Sequence, residues 1–397
     1  MTRRFDKMPA GADMESGPFG GECVEVAVDC GTLTVGGGIS RYLKEMLLAV
    51  SQSAGEGVRF RIYGRSSRQL ADMPPGLSFE TRQDHLPVHV GRILSLFLSL
   101  PFWLWRDRPA LYWGPAHRLP LFVPSDVPCV VTVHDLCWAK CPRSMRRVTR
   151  WLDRWLMGRA VGRASAVIAV SRATAEDLSR LYPHAREKTF VVYEGGSIPS
   201  PRRAQKRPDR SRNDEGHFLF VGTFEPRKNL QRLISAYATA LKHEQNLPSL
   251  VLVGGLGWGG VDVERMIAEL DLGEKVRCLG RVSDDHLQRL YSDAVALVMP
   301  SLYEGFGLPL VEAMAYGKPL LTSSVASMPE IAGDAAVLVD PLAVDSIADG
   351  LLTLARDAEL RQRLGAAALA RAAEFDWAQA GRQTLSIFMH VARRTAR

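Results

Sequence analysis

The chain has 397 residues, of which 46% are hydrophobic, and a formal net charge of +7. A chain of this length usually forms two or more domains, and this hydrophobic content suffices for two cores. A nucleic-acid-binding protein would carry a basic stripe interleaved with exposed aromatic residues, or a recognisable reading module, and no such module is found. We therefore expect no nucleic-acid partner.

The first 20 residues mix glycine, proline, methionine and charged side chains without an apolar run. They do not have the pattern of a signal peptide or a membrane anchor, so residues 1–20 are predicted to be a disordered tail. The six cysteines show no C-x-x-C spacing and fall mostly in or beside apolar segments, which favours free thiols in a reducing compartment. The expected location is the cytoplasm.

The first half of the chain alternates between apolar runs and helical patterns. A strand is predicted at 24–28, followed by a glycine-rich loop and an amphipathic helix. Further apolar runs lie at 58–63, 111–113, 128–133, 166–170 and 189–193. This alternation predicts a mostly parallel sheet covered by helices, forming an amino-terminal α/β domain over residues 21–196.

A second α/β pattern follows a polar segment. Residues 197–215 are rich in proline, arginine and serine, and they predict a linker. New apolar runs then lie at 217–221, 250–253, 276–279, 294–299, 320–322 and 336–339. They predict a carboxyl-terminal α/β domain over residues 216–375, and residues 376–397 predict a final helix.

The stretch MPSLYEGFGLPLVEAMAYGKP contains two glutamates, Glu304 and Glu312, around a glycine-bearing turn into a helix. Pro309 suits the first turn of that helix, predicted at 309–316. The loop follows the apolar run 294–299, so it lies at the carboxyl end of a strand, where open α/β sheets bind ligands. The helix start favours a phosphate, and Glu312 can accept hydrogen bonds from a ribose diol. The layout indicates a sugar-nucleotide pocket.

This stretch resembles the E-x7-E motif of the retaining glycosyltransferases of the GT-B fold, family 4, with Glu304 and Glu312 at the two motif positions. The resemblance continues through GTFEPRKNL at 222–230, LGRVSDDHLQRLYSDA at 279–294 and SMPEIAGDAAVLVDP at 327–341, and less closely through GGGISRY at 36–42, TVHDL at 132–136 and VIAVSRATAEDL at 167–178. It implies two Rossmann-like, doubly wound parallel-sheet domains that face each other across a cleft. It also implies that the helix at 376–397 packs back on the amino-terminal domain.

The resemblance implies a donor site made mainly by the carboxyl-terminal domain. Arg227 and Lys228 match the family's basic pair that contacts the donor diphosphate. Glu304 lies near the donor sugar in the family and gives positioning and electrostatic support, while Glu312 holds the ribose. Backbone groups of the two glycine-bearing loops complete the predicted donor site, namely Gly37, Gly38, Phe306, Gly307 and Leu308.

The catalytic residues predicted from the resemblance are Glu304 and His134. His134 follows an apolar strand and matches a family histidine that approaches the sugar and its leaving oxygen. The sequence from Leu111 to Leu136 is similar to bacterial mannosyltransferase-like members of the family. This similarity implies that the acceptor side of the site is lined by Tyr112, Trp113, His117 and Arg118. No D-x-D pair sits at a strand end, so neither a metal nor another cofactor is expected.

The function implied by the resemblance is retaining transfer of a hexose, with mannose from GDP-mannose as the preferred donor. The acceptor would be a saccharide or a polyprenyl-diphosphate-linked saccharide in cell-surface polysaccharide synthesis. Two alternatives stay open: a UDP-sugar donor, and a non-catalytic subunit that binds nucleotide sugars.

Two segments combine apolar and basic residues. Residues 143–163 carry seven arginines together with Trp151 and Trp155, and residues 92–106 form an apolar run that is too short, and too broken by Pro101, to span a bilayer. Peripheral contact with an anionic membrane, on the inner face of the cytoplasmic membrane, is one interpretation. A core helix with a solvated arginine face is the other, and the sequence does not decide between them.

Overall fold

A computed structural model describes residues 23–31, 37–64, 79–83, 95–196, 216–260 and 262–395. These residues divide into two compact units. The first comprises the described part of Met1–Leu136 with Val148–Gly195 and Asp376–Arg397, and the second comprises Cys137–Arg147 and the described part of Gly196–Phe375. The predicted tail at 1–20 and the predicted linker at 197–215 lie outside the described residues.

The first unit is built on a parallel sheet. Its strands are β1 (Val24–Asp29), β2 (Val58–Gly64), β3 (Phe79–Gln83), β4 (Leu111–Gly114), β5 (Cys129–Val133), β6 (Ala166–Ala169) and β7 (Thr189–Val191). They are ordered β3-β2-β1-β4-β5-β6-β7. Every residue of β4, β5 and β6 is buried, as expected for parallel strands covered on both faces. Strand β3 was not predicted, because its sequence FETRQ is polar and it lies at the edge of the sheet.

The second unit is built on a second parallel sheet. Its strands are β8 (His217–Val221), β9 (Ser249–Val253), β10 (Val276–Gly280), β11 (Ala294–Met299), β12 (Leu320–Ser323) and β13 (Ala336–Val339). They are ordered β10-β9-β8-β11-β12-β13, so the direction of winding reverses between β8 and β11. The first sheet reverses in the same way between β1 and β4. Ligands of open α/β sheets bind outside the carboxyl ends of the strands at such reversals.

The helices connect the strands and cover the sheets. In chain order they are α1 (Gly38–Ala54), α2 (Ser99–Asp107), α3 (Cys137–Lys140), α4 (Arg147–Arg163), α5 (Arg172–Leu181), α6 (Leu230–His243), α7 (Val263–Glu269), α8 (Asp284–Asp293), α9 (Leu308–Ala315), α10 (Met328–Ala332), α11 (Val344–Arg356), α12 (Ala358–Ala372) and α13 (Trp377–Thr395). Among the described residues, none of these helices has both the length and the apolar character needed to cross a bilayer.

The last helix, α13, belongs to the core of the first unit. It packs along α1, whose apolar face is buried. At their contact, a Cβ atom on Gly381 would lie 2.5 Å from the backbone of Ala49, so only glycine permits this close approach. The ring of Phe388 also packs against Trp113, with the centroids 5.4 Å apart. The carboxyl-terminal segment therefore stabilises the unit that contains the amino-terminal strands.

Candidate active site

The strand ends at the reversal of the second sheet carry three of the predicted donor-site side chains. After β8 the chain forms a short 3-10 turn at Pro226–Lys228 and then enters α6. After the neighbouring β11 it forms the loop that leads into α9. Because β8 and β11 are adjacent and parallel, these connections emerge side by side. Arg227 and Lys228 thereby meet Glu304.

The Glu304 carboxylate accepts hydrogen bonds from both cations. Lys228 Nζ donates to Oε1 over 2.6 Å, and Arg227 Nη1 donates to Oε2. The same Nη1 donates to the carbonyl of Tyr303 over 2.9 Å. Glu304 and Lys228 are buried. Charges removed from water are tolerated only when they are paired and hydrogen-bonded, and this arrangement meets that condition.

A second carboxylate, Glu225, holds the other side of the Arg227 guanidinium. Arg227 donates to Glu225 Oε1 from Nε over 3.0 Å and from Nη2 over 2.6 Å. Sequence reasoning missed this residue, although it lies within the GTFEPRKNL stretch, two positions before Arg227. We define the basic cluster as Glu225, Arg227, Lys228 and Glu304. Its formal charges balance when all four groups are ionised.

The pKa of Glu304 reports the strength of this pairing. Burial by itself raises the pKa of a carboxyl group, but the charges and hydrogen bonds of Arg227 and Lys228 outweigh burial. As a result the pKa of Glu304 is lowered from 4.5 to about 2. Glu304 is therefore an anion at neutral pH and has no proton to give.

The loop that carries Glu304 is fixed by hydrogen bonds to its neighbours. Ser327 Oγ lies 2.9 Å from the Glu304 carbonyl and 3.1 Å from the Phe306 carbonyl, and its hydroxyl donates to them. The Leu302 N–H donates to the Arg227 carbonyl over 2.8 Å. The side chain of Asn229 donates to the carbonyl of Pro300 over 2.9 Å. Backbone geometry in this loop is thus set before any ligand arrives.

The helix predicted at 309–316 is present as α9, one residue earlier. Gly307 precedes it with a φ of 101°, a left-handed conformation that favours glycine. Leu308 is the first helical residue, and the ring of Phe306 packs edge-on against Phe375, with centroids 5.7 Å apart. The predicted backbone contacts of Phe306, Gly307 and Leu308 with a donor stay predictions.

Glu312 lies in the second turn of α9 and is buried. Its Oε2 accepts a hydrogen bond of 2.7 Å from the hydroxyl of Tyr291, which lies in α8 and is itself buried. Tyr291 stacks on Tyr316, with the ring centroids 5.7 Å apart. The role of Tyr291 was not predicted, although it lies in the LYSDA part of the matched sequence. This hydrogen bond fixes the orientation of the carboxylate that the sequence assigns to the ribose.

In the first unit, His134 lies at the carboxyl edge of the sheet, directly after β5. Its Nε2 donates to the carbonyl of Pro115, which follows β4, over 2.8 Å. Its Nδ1 lies 3.2 Å from Oε1 of Glu194, which follows β7. The ring of Tyr42 meets the imidazole edge-on at a centroid distance of 4.6 Å. Glu194 was not anticipated, but its position after a parallel strand is the signal that could have identified it.

The environment of His134 favours the imidazolium. Burial lowers the pKa of a histidine, but the hydrogen bond and charge of Glu194, together with the Pro115 carbonyl, outweigh it and raise the pKa of His134. Both ring nitrogens face oxygen acceptors, so each can carry a proton and donate. The pairing with Glu194 therefore shifts His134 towards its charged form. Its catalytic assignment stays a prediction.

The residues assigned to the acceptor differ in exposure. Tyr112 and Trp113 are fully buried, and Trp113 Nε1 donates to Thr132 Oγ1 over 3.1 Å. Arg118 is partly exposed and forms an ion pair of 2.6 Å with Asp153. His117 has a pKa lowered to about 4, chiefly by burial and then by the charge of Arg118. Packing accounts for the two aromatic residues, and the acceptor assignment of all four stays a prediction.

The predicted glycine-rich loop after β1 is described only in part. Gly37 immediately precedes α1, and Gly38 is its first residue. Both are exposed, and neither carries a side chain that could obstruct a ligand. Their assignment to the donor site stays a prediction, and Gly36 lies outside the described residues.

Comparison with known proteins follows the same division of the chain. A sequence profile described as "Glycosyl transferases group 1" matches residues 201–371, and one described as "Glycosyltransferase Family 4" matches residues 36–195. The O-antigen chain mannosyltransferase B of Escherichia coli is 31% identical over 377 residues, covering 88% of this chain and 95% of the relative. The chain belongs to the family 4 glycosyltransferases.

Two further comparisons bear on this glycosyltransferase. The O-antigen chain mannosyltransferase RfbU of Salmonella typhimurium is 29% identical and covers 68% of this chain and 72% of its own length. The solved structure of a sucrose-phosphate synthase from Thermosynechococcus elongatus superposes with a TM-score of 0.70 at 20% identity, covering 94% of this chain and 99% of that one. The GT-B fold and the hexosyltransferase class predicted from the sequence are confirmed.

Proposed function

We propose that this glycosyltransferase moves mannose from GDP-mannose to a saccharide, either free or linked to polyprenyl diphosphate, with retention of configuration. The product would contribute to a cell-surface polysaccharide. The basic cluster at the strand reversal of the second sheet carries the proposal. The choice of mannose and of polysaccharide synthesis is supported by the two relatives named as O-antigen chain mannosyltransferases.

The departing nucleoside diphosphate gains negative charge as the glycosidic bond breaks, and Arg227 and Lys228 of the basic cluster would supply positive charge to it. Arg227 and Lys228 are held in place by Glu225 and Glu304 before a donor binds. Charges that are already oriented need little reorganisation in the transition state, which is why such groups contribute strongly to catalysis. An incoming diphosphate would take over hydrogen bonds that Lys228 and Arg227 now make to Glu304. The Glu304 carboxylate could then accept hydrogen bonds from sugar hydroxyls.

The nucleoside would be recognised by Glu312. Tyr291 occupies Oε2 of this carboxylate, and Glu312 can accept further hydrogen bonds from the two ribose hydroxyls. This contact does not distinguish guanosine from uridine, because both nucleosides carry the same ribose. A UDP-sugar donor is therefore the alternative that the experiment must separate.

The role proposed for His134 follows from its two hydrogen-bond acceptors. An imidazolium held between Pro115 and Glu194 would offer positive charge and could not accept a proton, and both of its N–H groups are already donated to those two neighbours. It would stabilise negative charge on the leaving oxygen. The acceptor hydroxyl would attack the anomeric carbon on the same face as the bond to the diphosphate breaks, and its proton would pass to the departing phosphate oxygen. This would give retention without a covalent enzyme intermediate.

The remaining assignments are part of the same proposal. His117 and Arg118 would contact the acceptor, and the buried Tyr112 and Trp113 would form part of the same side of the site from within the core. No metal or other cofactor is required, because Arg227 and Lys228 can counter the diphosphate charge. The enzyme would act in the cytoplasm, at the inner face of the cytoplasmic membrane.

The experiment that tests this function is a donor panel. GDP-mannose, UDP-glucose, UDP-galactose and UDP-N-acetylglucosamine are compared by titration calorimetry and by release of nucleoside diphosphate. The wild-type protein is compared with Glu312→Ala and with Glu359→Ala, which removes an exposed carboxylate from the second unit. We expect GDP-mannose to bind and turn over slowly, with both properties lost only in Glu312→Ala.

The other outcomes identify the alternatives. Preference for one UDP-sugar would replace the mannose assignment and keep the site. Binding without any release of nucleoside diphosphate, with or without saccharide acceptors, would favour a non-catalytic subunit. Absence of binding by the whole panel would contradict the proposed site itself.

A further inference from the structure

The first unit exposes large aromatic side chains on two helices and the loop between β4 and β5. The exposed fractions are 54% for Phe102 and 64% for Trp105 in α2, 70% for Phe122 in the loop, and 65% for Trp151 in α4. Large apolar side chains that are exposed singly are normal on a protein surface, but a group of aromatic residues is not. The proposed transfer reaction does not account for them.

Hydrogen bonds to the backbone of the loop place α2, the loop and α4 next to one another. The Leu121 N–H donates to the Leu96 carbonyl over 3.1 Å, which ties the Phe122 loop to the turn before α2. On the other side, Arg159 Nη2 of α4 donates to the Leu121 carbonyl over 3.0 Å. The loop that carries Phe122 is therefore flanked by both helices. The exposed aromatic residues belong to one region of the surface.

The tryptophans of α4 are pre-arranged. Trp151 and Trp155 are four residues apart, and their rings are nearly parallel, at 2°, with centroids 6.4 Å apart. The Arg159 guanidinium lies 5.4 Å from the centroid of the Trp155 ring. These contacts restrict the rotamers of Trp151 and Trp155 on the protein surface. Little side-chain conformational entropy would therefore be lost if a partner covered the two rings.

Exposed arginines accompany the aromatic residues. Arg106 lies beside Trp105, and Arg150 and Arg154 lie on α4 beside the two tryptophans. The acidic residue of α4, Asp153, is buried and pairs with Arg118. Asp126, in the loop after Phe122, pairs with Arg108. The positive charge of these exposed arginines is therefore not cancelled by these neighbouring carboxylates.

We propose that this region is a docking surface for an anionic lipid bilayer. We define the aromatic-arginine face as Phe102, Trp105, Phe122, Trp151 and Trp155 with Arg106, Arg150 and Arg154. Tryptophan is favoured at the interface between headgroups and acyl chains, and arginine beside it can reach phosphate groups. A solvated arginine face would explain the charges but leave the exposed tryptophans without a partner.

The face fits a bilayer better than a soluble partner. Both α2 and α4 present apolar rings beside cations, and the loop adds Phe122, which matches a fluid surface that offers acyl chains and phosphates everywhere. None of the described helices can span a membrane, so the enzyme would lie on the surface. This inference rests on the membrane location given in the proposed function and names the surface that would make the contact. It does not depend on the identity of the donor, and it suits a lipid-linked acceptor.

The test uses the full chain and vesicles of phosphatidylglycerol and phosphatidylcholine. Arg150→Glu/Arg154→Glu reverses two of the three positive charges of the face, and Phe102→Ser/Trp105→Ser removes part of the aromatic component. Arg277→Glu/Arg289→Glu is the matched control, since it makes the same charge change at exposed arginines of the second unit. Binding is measured by co-sedimentation, and tryptophan depth is measured by quenching with brominated lipids.

We expect the wild-type protein and the control variant to bind vesicles that contain phosphatidylglycerol and not to bind vesicles of phosphatidylcholine alone. Each arginine near an anionic surface contributes about 1 kcal/mol, so Arg150→Glu/Arg154→Glu should weaken binding by about tenfold or more. Phe102→Ser/Trp105→Ser should reduce both binding and quenching. Donor binding by calorimetry should be unchanged in all variants, which separates this test from the proposed function and verifies folding.

Three outcomes would overturn the proposal. One is equal vesicle binding by the wild-type protein and both face variants. Another is failure of the wild-type protein to bind anionic vesicles. The third is a dimer or an oligonucleotide complex, detected by sedimentation velocity, that is lost in the face variants while their vesicle binding persists. That result would assign the face to another partner.

Discussion

Lys228 Nζ and Glu304 Oε1 lie 2.6 Å apart, in a buried ion pair that joins the connections after two adjacent strands. The pair links residues 76 positions apart in the chain. It sets the positions of the cation expected to contact the diphosphate and of the carboxylate expected to contact the sugar.

Replacing Lys228 should damage catalysis far more than folding. In Lys228→Met, we expect kcat/KM for the donor to fall about 100- to 1,000-fold, because one fixed charge that stabilises the leaving group is lost. Arg227 still pairs with Glu304, so the fold should persist. Steady-state release of nucleoside diphosphate measures the effect. Lys242→Met, at an exposed position of α6, should retain wild-type kinetics; equal losses in the two variants would contradict the assigned role.

The lowered pKa of Glu304 predicts a pH dependence of stability. Folding lowers this pKa from 4.5 to about 2, so the ionised carboxylate stabilises the native state above pH 4.5. The contribution, on the order of 3 kcal/mol, should disappear as the pH falls from 4.5 towards 2. Chemical unfolding of wild type and Glu304→Gln at several pH values measures it. The difference between their free energies of unfolding should shrink in acid, and a constant difference would exclude the ion pair as its source.

The hydrogen bond from Tyr291 should matter for the donor through Glu312. In Tyr291→Phe, we expect the KM for the donor to rise about 10- to 100-fold, since a lost hydrogen bond to a charged group is worth roughly 1.5–3 kcal/mol and the stacked ring is kept. The kcat should change less. Tyr237→Phe provides the control, because it loses a buried hydrogen bond to the Pro248 carbonyl elsewhere in the second unit. A rise in KM in both variants would indicate a general loss of stability.

His134 should titrate above the ordinary range for histidine. Its pKa is raised by Glu194, so the stabilisation from this pair is complete below the unfolded pKa and is lost as pH rises through the folded pKa. Glu194→Gln should lower the pKa of His134, because the partner charge is removed. NMR titration of labelled histidine in the wild-type protein and in Glu194→Gln measures the change. An unaltered titration in Glu194→Gln would refute the contribution of Glu194.

The expectation that no metal is required can be tested directly. Transfer from the donor should proceed at the untreated rate after treatment with EDTA, if Arg227 and Lys228 supply the positive charge for the diphosphate as proposed. Nucleoside diphosphate release is compared before chelation, after chelation and after addition of Mg²⁺ or Mn²⁺. Loss of activity that either ion restores would show that the two side chains are not sufficient.

Apolar periodicity was enough to locate the strands near both strand reversals, because buried parallel strands are nearly continuous hydrophobic runs. The same criterion missed β3, whose polar sequence lies at an edge. It also did not decide whether Tyr112 and Trp113 contact a ligand or pack in the core, since residues at a strand end can do either. Burial in the structure shows that packing accounts for these two side chains.

The site residues were predictable to different degrees for a physical reason. Arg227, Lys228, Glu304 and Glu312 lie in motifs whose spacing is fixed along the chain. Their hydrogen-bond partners, including Glu225, Tyr291 and Glu194, depend on which loops meet in space. Glu194 is 60 positions from His134 in the chain, and no local pattern specifies such a pairing.

If the donor diphosphate binds Arg227 and Lys228 as proposed, the Glu304 carboxylate would compete with it for these two cations. Free phosphate would have to displace the Glu304 carboxylate, which is part of the same chain and is therefore present at a high effective concentration. A nucleotide sugar can compensate for that displacement through its ribose and its hexose, whereas an inorganic ion cannot. The basic cluster would thus remain unoccupied amid abundant cellular phosphate and respond to the complete donor.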